Sequence, residues 1–385
     1  MGIKIVVRSY LCTFMAYRYV DKVYPFNLSP EALDWYLARG WYRMGANIFT
    51  THYLCFQQQL YSAIWIRLDL RKSEQRESLP KEESNFQFSK SQRRLLRKNA
   101  KLFTYTVGRR KFTLEKELLY NRYAQQFNGR LSPSLRDNLE DYDDESIFRT
   151  YEVCIREKET NRLVAASYFD LGRKSAASIL GIYEPDFDQY SLGYYSMLIE
   201  MEYCYQQGLE YYYPGYIVPG YKRFDYKMRI GKTDYFDVKT GKWLSLENFE
   251  RNMGPAERQL DALGDLQRSI DGIVSLSETL IYPLFEARLY HAWPDSFLEQ
   301  PCLLLLGNRP SRQGQCVCVI FDPVSDEYIL LLCQSMGDIR YYFSEKYLKS
   351  FPPESFLVAL LDRSAVLQRT SNKEKLTEYL IKSLQ

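Results

Sequence analysis

The sequence predicts an α/β fold of the α+β kind, and three observations carry that prediction. Residues 150–155, 163–171 and 175–183 read as strands, with a polar turn at 157–161 between the first two. The strand ending near Tyr183 leads through a polar turn into a helix opening at Ser191, on which Tyr194, Leu198, Met201 and Tyr205 recur at one-face spacing. Gly208 closes that helix and residues 209–216 form a tyrosine-rich strand, so a helix is inserted between strands of one sheet.

Taken in order, residues 3–7 are a short β-prone run. Ser29 is an N-cap ahead of Pro30, Ala32, Leu33, Tyr36 and Leu37 share one helix face, and Gly40 is the stop. Residues 40–45 read Gly-Trp-Tyr-Arg-Met-Gly, strand-like alternation continues through Ile48, His52 and Leu54, and residues 61–70 are a further strand. Residues 72–85 are charged and polar enough for a mobile loop. Ser89 opens a helix crowded with Lys90, Arg93, Arg94, Arg97, Lys98 and Lys101. Residues 114–127 are helical and 131–145 an acidic connection. Past Asn252, Leu260, Leu263, Leu266, Ile270 and Ile273 mark an amphipathic helix, residues 303–306, 317–321 and 328–332 are strands, and the last segment is helical. The expected organisation is an N-terminal lobe over 1–110, a core over 111–250 and a separate α+β appendage over 251–385, with no internal repeat.

The bulk numbers exclude several classes. With 51 Lys and Arg against 48 Asp and Glu the net charge is +3, so any nucleic-acid affinity comes from local patches and not from an overall field. No apolar run approaches the ~20 residues of a spanning helix, residues 1–14 lack the pattern of a cleaved leader, and Val6 breaks the myristoylation pattern. The expected location is the cytoplasm, without a membrane partner. Eight scattered cysteines fit reduced thiols.

The densest motif is Tyr183, Glu184, Pro185, Asp186, then four residues, then Ser191, Leu192 and Gly193. It is followed by Tyr211, Tyr212, Tyr213, Gly215 and Tyr216, and by the pair Tyr226 and Lys227. A second motif reads Ser89-Lys90-Ser91-Gln92-Arg93-Arg94 with Asn99. In order and spacing this set resembles the aminoacyl-tRNA–protein transferases, the arginyl and leucyl enzymes that extend protein N-termini. Their segments are Tyr-Asp-Pro-Asp before Ser-Leu-Gly, a tyrosine-rich strand, a Tyr-Lys pair, Ser-basic-Ser-Gln-Arg-Arg with Asn, and Gly-aromatic-Arg-Arg-x-Gly near residues 40–45. The resemblance implies a GNAT-like acyltransferase fold, in one copy or duplicated, with a C-terminal α+β appendage. It implies aminoacyl-tRNA as donor in place of acyl-coenzyme A, the N-terminus of an acceptor protein as second substrate, and no cofactor.

The implied chemistry is attack of a neutral α-amine on an aminoacyl ester, which needs no enzyme nucleophile. An α-amine has a pKa of roughly 7.7–8, so a carboxylate, or a water held by one, suffices to take its proton. Glu184, Asp186 and Asp225 are the candidate acids and bases, with Asp186 equally readable as a turn residue beside Pro185. Ser191 and the first-turn amides are candidate donors to a polarised carbonyl oxygen. Tyr183, Leu192, Gly193, Tyr216, Tyr226 and Lys227 form the donor and acceptor set. Lys90, Gln92, Arg93, Arg94, Arg97 and Lys98 form the tRNA set, against the alternative of a solvated basic face. Lys222, Arg223 and Lys227 pair with an acidic acceptor residue or the tRNA end, or are an ordinary basic loop. Tyr211, Tyr212 and Tyr213 read as sheet residues before base-stacking platforms.

The departures from the family pattern matter equally. Its arginyl members carry an N-terminal Cys-x-x-Cys and Cys-Cys cluster, where this chain has only Cys12 and Cys55, so no metal cluster is expected. The family's His and Cys after the tyrosine strand are Pro219 and Tyr221 here. Cys316 and Cys318 share a strand face and read as core, since His52 and His291 are the only histidines and complete no zinc site. Two other readings stay open: an acyl-coenzyme A N-acyltransferase, for which residues 189–193 supply a single glycine, and a catalytically silent tRNA- or protein-binding relative.

Overall fold

The computed structural model describes residues 18–57, 59–71, 86–127, 131–139, 146–274, 276–290, 294–311, 313–348 and 353–384. The expected strand at 3–7, the loop at 72–85, residues 140–145 of the acidic connection, Cys12 and His291 lie outside them.

The N-terminal elements are built on local signals. Strand β1 (Val20–Val23) precedes helix α1 (Pro30–Leu37), whose N-cap Ser29 accepts from Ala32 N and whose buried Leu33 and Leu37 face inward. Gly40, at φ +73°, turns the chain into β2 (Tyr42–Met44) and β3 (Asn47–Thr51), giving a three-stranded sheet in the order β1-β3-β2. The strand expected at 61–70 is two elements. β5 (Gln59–Ser62) pairs with β4 (Tyr53–Phe56) in a hairpin, the chain breaks at Ala63, and β6 (Ile64–Asp69) enters the large sheet. The break follows from partner choice: Ala63 N donates to His52 O, while Ser62 Oγ turns to Glu257, so the two halves are held by different neighbours.

The large sheet follows. After α2 (Lys90–Leu102) come β7 (Phe103–Arg109), α3 (Leu114–Gln126), α4 (Leu135–Leu139), β8 (Thr150–Glu157), β9 (Leu163–Leu171) and β10 (Ser175–Tyr183). A 3₁₀ turn (Pro185–Tyr190), α5 (Leu192–Gln206), β11 (Tyr211–Ile217), a second 3₁₀ turn (Lys222–Arg229), β12 (Thr233–Asp237) and β13 (Lys242–Ser245) complete it. The eight strands lie in the order β13-β12-β6-β11-β10-β9-β8-β7. Every neighbouring pair is antiparallel except β10 and β11. Three antiparallel strands, a crossover helix and one parallel strand make the GNAT-like arrangement. α5 covers one face with Leu192, Tyr195, Leu198, Ile199 and Met201, and α3 and α4 cover the other with Leu119, Tyr120, Leu135 and Leu139. Burial on α5 extends beyond the single face expected from its spacing, because α2 packs on it from outside the sheet.

One ion pair pins the N-terminal elements to this sheet. Arg43 Nη1 donates to Asp170 Oδ1 at 2.8 Å and to Thr150 Oγ1 at 2.8 Å, and its Nε donates to Gly45 O at 2.7 Å. The side chains of Arg43 and Asp170 are 1% and 0% exposed, and the guanidinium lies 4.1 Å over the Phe148 ring.

Residues beyond 254 add α6 (Pro255–Ser269), β14 (Ser277–Ile281), β15 (Cys302–Leu306), β16 (Gln315–Asp322), β17 (Glu327–Asp338), α7 (Glu345–Leu348), β18 (Ala359–Thr370) and α8 (Lys373–Leu384). Their five antiparallel strands run in sequence order, and their core includes Tyr53, Cys55 and Leu60 of the β4–β5 hairpin. The helix expected through Ile273 stops at Ser269, since Gly272 takes φ +75° and leaves Ile273 exposed. β12, β13, β14 and β18 were not anticipated from the sequence.

Removing one partner of a buried ion pair strands the other charge, at about 3–5 kcal/mol. Asp170→Asn is therefore expected to lower unfolding stability by about that amount in urea titrations; a loss below about 1 kcal/mol would show that the pair does not carry the junction.

Candidate functional site

The site grows from the one parallel junction. β10 and β11 pair over only three residues, Ser175 with Tyr211, Ala176 with Tyr212 and Ala177 with Tyr213. Beyond them β10 bulges between Ser178 and Leu180, and the pairing of β11 with β6 slips between Tyr212 and Gly215. The strands part, and the Tyr42 hydroxyl stands in the gap, 2.5 Å from Ser178 O and 2.7 Å from Tyr213 O. Gly215 at φ +92° is needed twice over: for its backbone, and because a Cβ there would lie 3.1 Å from Lys227 Nζ.

On the β10 side, the Tyr-Glu-Pro-Asp turn divides its carboxylates. Glu184, a catalytic candidate, is buried and committed: Arg122 Nε and Nη2 donate to it at 3.1 and 2.6 Å, and Arg162 Nη2 lies 2.8 Å away. Burial alone would raise its pKa, but the hydrogen bonds and charges of both guanidiniums outweigh that and hold it below the usual range. Its oxygens anchor the turn to α3 and to the β8–β9 connection. Asp186 is exposed, with no hydrogen bond or ion pair among the described residues.

Ser191 corrects an expectation. It stands at the N-cap position of α5, but at φ 50°, ψ 47° its backbone is left-handed and its hydroxyl caps nothing; its N–H donates to Asp188 O. The chain arrives from a 3₁₀ turn, whose geometry dictates this conformation. The first turn of α5 is thus left without a side-chain cap, which keeps the positive end of a 15-residue helix available at the cleft. Leu192 is buried beneath it, and a Cβ on Gly193 would touch the Tyr183 ring at 3.4 Å.

The other wall is the turn Lys222–Arg229. Lys227 Nζ donates to Tyr216 O at 3.2 Å and lies 5.6 and 5.4 Å from the ring centres of Tyr216 and Phe224. It has no carboxylate partner among the described residues, and burial pulls its pKa down to about 8. Tyr226 is pushed up to about 12 by burial, with the charges of Tyr183 and Glu200 adding to the effect. Arg223 stacks 4.0 Å over Phe127, and Asp225 points to solvent. Tyr212 and Tyr213 are buried sheet residues, as expected.

Sequence reasoning missed Glu200. It lies on α5, fully buried, accepting from Tyr212 OH at 2.7 Å through Oε2, while Oε1 has no hydrogen-bond partner among the described residues. Burial pushes its pKa up to about 7, against the nearby hydroxyls of Ser167, Tyr212 and Ser178. The signal was a lone acid inside the run Met197-Leu198-Ile199-Glu200-Met201.

Beside the cleft lies α2. Lys90, Arg93, Arg94, Arg97 and Lys98 are exposed, with Lys98 Nζ 5.4 Å from the Tyr190 ring centre. Gln92, placed with them in the tRNA set, is instead buried: it completes a capping box with Ser89, and Nε2 lies 3.0 Å from each of Tyr194 OH, Arg229 O and Ile230 O. No group of three or more His, Cys, Asp or Glu able to hold a metal occurs among the described residues. Cys316 and Cys318 are core, the latter 3.8 Å from Cys333 Sγ, and burial lowers the His52 pKa to about 3.

Comparison with known proteins places these residues in context. Residues 115–237 match the family model for the C terminus of arginine-tRNA-protein transferase. An aspartate/glutamate leucyltransferase of Leptospira interrogans is 25% identical over 174 residues, 42% of this chain and 65% of that protein. One from Pseudomonas putida is 32% identical over 143 residues, 36% of this chain and 59% of that protein. The chain thus spans somewhat under two thirds of the length of the curated relatives it matches. Among solved structures, a GCN5-related glucosamine N-acetyltransferase region of a fungal β-N-acetylglucosaminidase overlays with TM-score 0.26 and 13% identity, covering 56% of this chain and 22% of that one. The resemblance to aminoacyl-tRNA–protein transferases read from the motifs is met by the family model and the relatives; the basic helix α2 lies N-terminal to the residues that the family model matches.

A carboxylate whose pKa rises on folding opposes the fold once ionised. The contribution of Glu200 is full below about pH 4.5 and is lost as pH rises through about 7. Glu200→Gln is expected to remove that loss, making the variant more stable than the parent by on the order of 3 kcal/mol at about pH 8. Urea titrations across this range check it, and a variant less stable at every pH would refute it.

Proposed function

We propose that this chain, as a relative of the aminoacyl-tRNA–protein transferases, moves an amino acid, arginine or leucine, from aminoacyl-tRNA to the N-terminal α-amine of an acceptor protein. The observation that carries the reading is the opened β10–β11 junction. It has the uncapped start of α5 on one wall, Lys227 on the other, and the exposed cations of α2 alongside.

In this reading the exposed side chains Lys90, Arg93, Arg94, Arg97 and Lys98 follow the tRNA phosphates, and the 3′ end carries the aminoacyl ester into the cleft between Tyr183, Gly193, Tyr226 and Tyr216. The neutral amine nitrogen attacks the ester carbonyl carbon. The developing oxyanion is met by the first-turn amides of α5. Collapse forms the amide bond and breaks the bond between the carbonyl carbon and the ribose oxygen. That oxygen leaves with a proton and the amine gives one up, so charge balances without an enzyme nucleophile. Glu184, tied to two guanidiniums, holds the turn in place. Asp186 is the carboxylate of that turn open to receive the amine proton, directly or through water. Lys227 faces the side chain of the acceptor's first residue. A half-buried ammonium without a carboxylate partner among the described residues suits an acidic side chain, which would supply its counter-charge.

Incubating the protein with a mixed pool of charged tRNAs and peptides of different N-termini, then weighing the peptides, tests the reading and identifies the amino acid; no mass gain on any peptide would refute it. Lys227→Ala should cost roughly tenfold to a hundredfold in kcat/KM on peptides beginning with Asp or Glu, the worth of a charge-assisted hydrogen bond, and scarcely affect a neutral N-terminus. In the parent, the ratio of acidic to neutral acceptor use should fall as pH rises through about 8, since that removes the Lys227 charge. Equal losses on all peptides would move Lys227 to the donor side.

Replacing Arg93, Arg94 and Arg97 together by Gln should weaken tRNA binding and flatten its dependence on log salt by about 0.7–0.9 for each phosphate no longer neutralised. An unchanged slope would leave α2 a solvated face.

A further inference from the structure

The basic motif on α2 contains two residues that do not face solvent, Gln92 and Asn99, both buried. Each reaches across to a different edge of the cleft. Asn99 Nδ2 donates to Tyr190 O at 2.9 Å, at the end of the turn that leads into α5. Gln92 Nε2 shares its two protons among Tyr194 OH, Arg229 O and Ile230 O, all at 3.0 Å, and Tyr194 OH itself donates to Arg229 O at 2.7 Å. Arg229 closes the turn Lys222–Arg229, and Ile230 follows it. We infer that Gln92 is a positioning residue for the acceptor side of the site: it fixes the downstream end of the segment that carries Lys227, while its basic neighbours serve the RNA.

Lys222, Arg223, Asp225, Met228 and Arg229 are exposed, while Phe224 and Tyr226 pack against the clusters beneath the turn, so its downstream end is held chiefly by hydrogen bonds. Its upstream end is tied by Tyr221 N to Val218 O, and its middle by Lys227 Nζ to Tyr216 O. Downstream, the carbonyls of Arg229 and Ile230 depend on Gln92 and Tyr194. Lys227 lies two residues before this anchor, so releasing it frees the ammonium from its place over Tyr216 and Phe224. α2 has other attachments: the Asn99 bond, packing on α5, and Leu95 and Leu96 against the core. Losing the Gln92 donors should therefore loosen the Lys227 segment and leave the basic face where it is.

This inference deepens the proposed transferase reading and is tested so that the two fail separately. Gln92→Glu keeps the acceptor that caps Ser89 N and loses the donors; Gln92→Met avoids a buried charge; Tyr194→Phe removes only the hydroxyl. In the full-length protein, hydrogen exchange of residues 222–230 should speed up by about tenfold in the Gln92 variants, and by less in Tyr194→Phe, with α2 beyond its first turn unchanged. KM for a peptide beginning with Asp should rise by about tenfold, while affinity for tRNA and its salt slope stay those of the parent. Unchanged exchange in 222–230, or a loss of tRNA affinity with acceptor KM unaltered, would overturn the inference. If the parent protein transfers no amino acid at all, the functional reading fails, and the exchange experiment still decides the clamp.

Discussion

Where β10 and β11 part, two backbone carbonyls, those of Ser178 and Tyr213, lose the partners that a continuous parallel ladder would give them, and both converge on the Tyr42 hydroxyl, whose single proton they share. A buried carbonyl left without a donor costs about 1–3 kcal/mol, so a sheet cannot be opened without something to stand in the gap. Tyr42 is held for that task. Its ring stacks on Trp65 at 5.1 Å, Trp65 Nε1 donates to Thr51 O at 2.9 Å, and the next residue is Arg43, anchored on Asp170. The N-terminal elements are thus part of the site's construction, since they supply the wedge that keeps the cleft open and the ion pair that keeps the wedge in register. The same Trp65 meets the Tyr216 ring edge-on at 5.1 Å, so the wedge also supports the wall on which Lys227 lies.

The buried charges sort by their partners. Arg43 with Asp170, Lys116 with Glu152, and Glu184 with Arg122 and Arg162 are paired, and each ties one segment of chain to another. Glu200 is buried and Lys227 half-buried, neither with a counter-ion among the described residues, and desolvation drives both pKa values toward neutrality, to about 7 and about 8. Such groups cost stability, and they persist where the rest of the fold over-determines their position. Both belong to elements that border the opened junction: Glu200 on the helix that follows β10, hydrogen-bonded to Tyr212 of β11, and Lys227 beside Gly215 of β11.

What the sequence made legible was local. Ser29 before Pro30, Ser89 at the start of the basic helix, and the strand-forming runs within residues 150–183 are signals that act within a few residues of themselves, and the fold keeps them. Ser191 was misread because its neighbours suggested a capped helix, whereas the preceding 3₁₀ turn forces it left-handed. Gln92 was grouped with the arginines around it because helical spacing does not say which face is covered; that was decided by Tyr194, 102 positions away. Tyr42 and Glu200 carry roles set by strands that meet from distant parts of the chain. β18, with exposed or half-buried residues from Asp362 onward, lacks strict alternation because its pairing with β17 slips at several points.

The C-terminal unit bears on the same wall. Its first helix is joined to β5 through Ser62 Oγ, which donates to Glu257 Oε2 at 2.5 Å and accepts from Ala256 N at 2.9 Å. Gly254 is required there, since a Cβ would lie 2.5 Å from Ser62 Oγ. A second contact reaches the loop after β11: Arg251 packs where Gly220, at φ +87°, lacks a side chain. Farther along, the charges of Glu286 and Tyr290 act with burial to push the Tyr216 pKa up to about 12. Tyr216 supplies both the carbonyl and the ring that hold Lys227. A shift of the C-terminal unit against the β4–β5 hairpin therefore bears on the wall that holds Lys227. The opposite wall, built from β10, α5 and the arginines that grip Glu184, is braced from α2 and α3 and would feel it least.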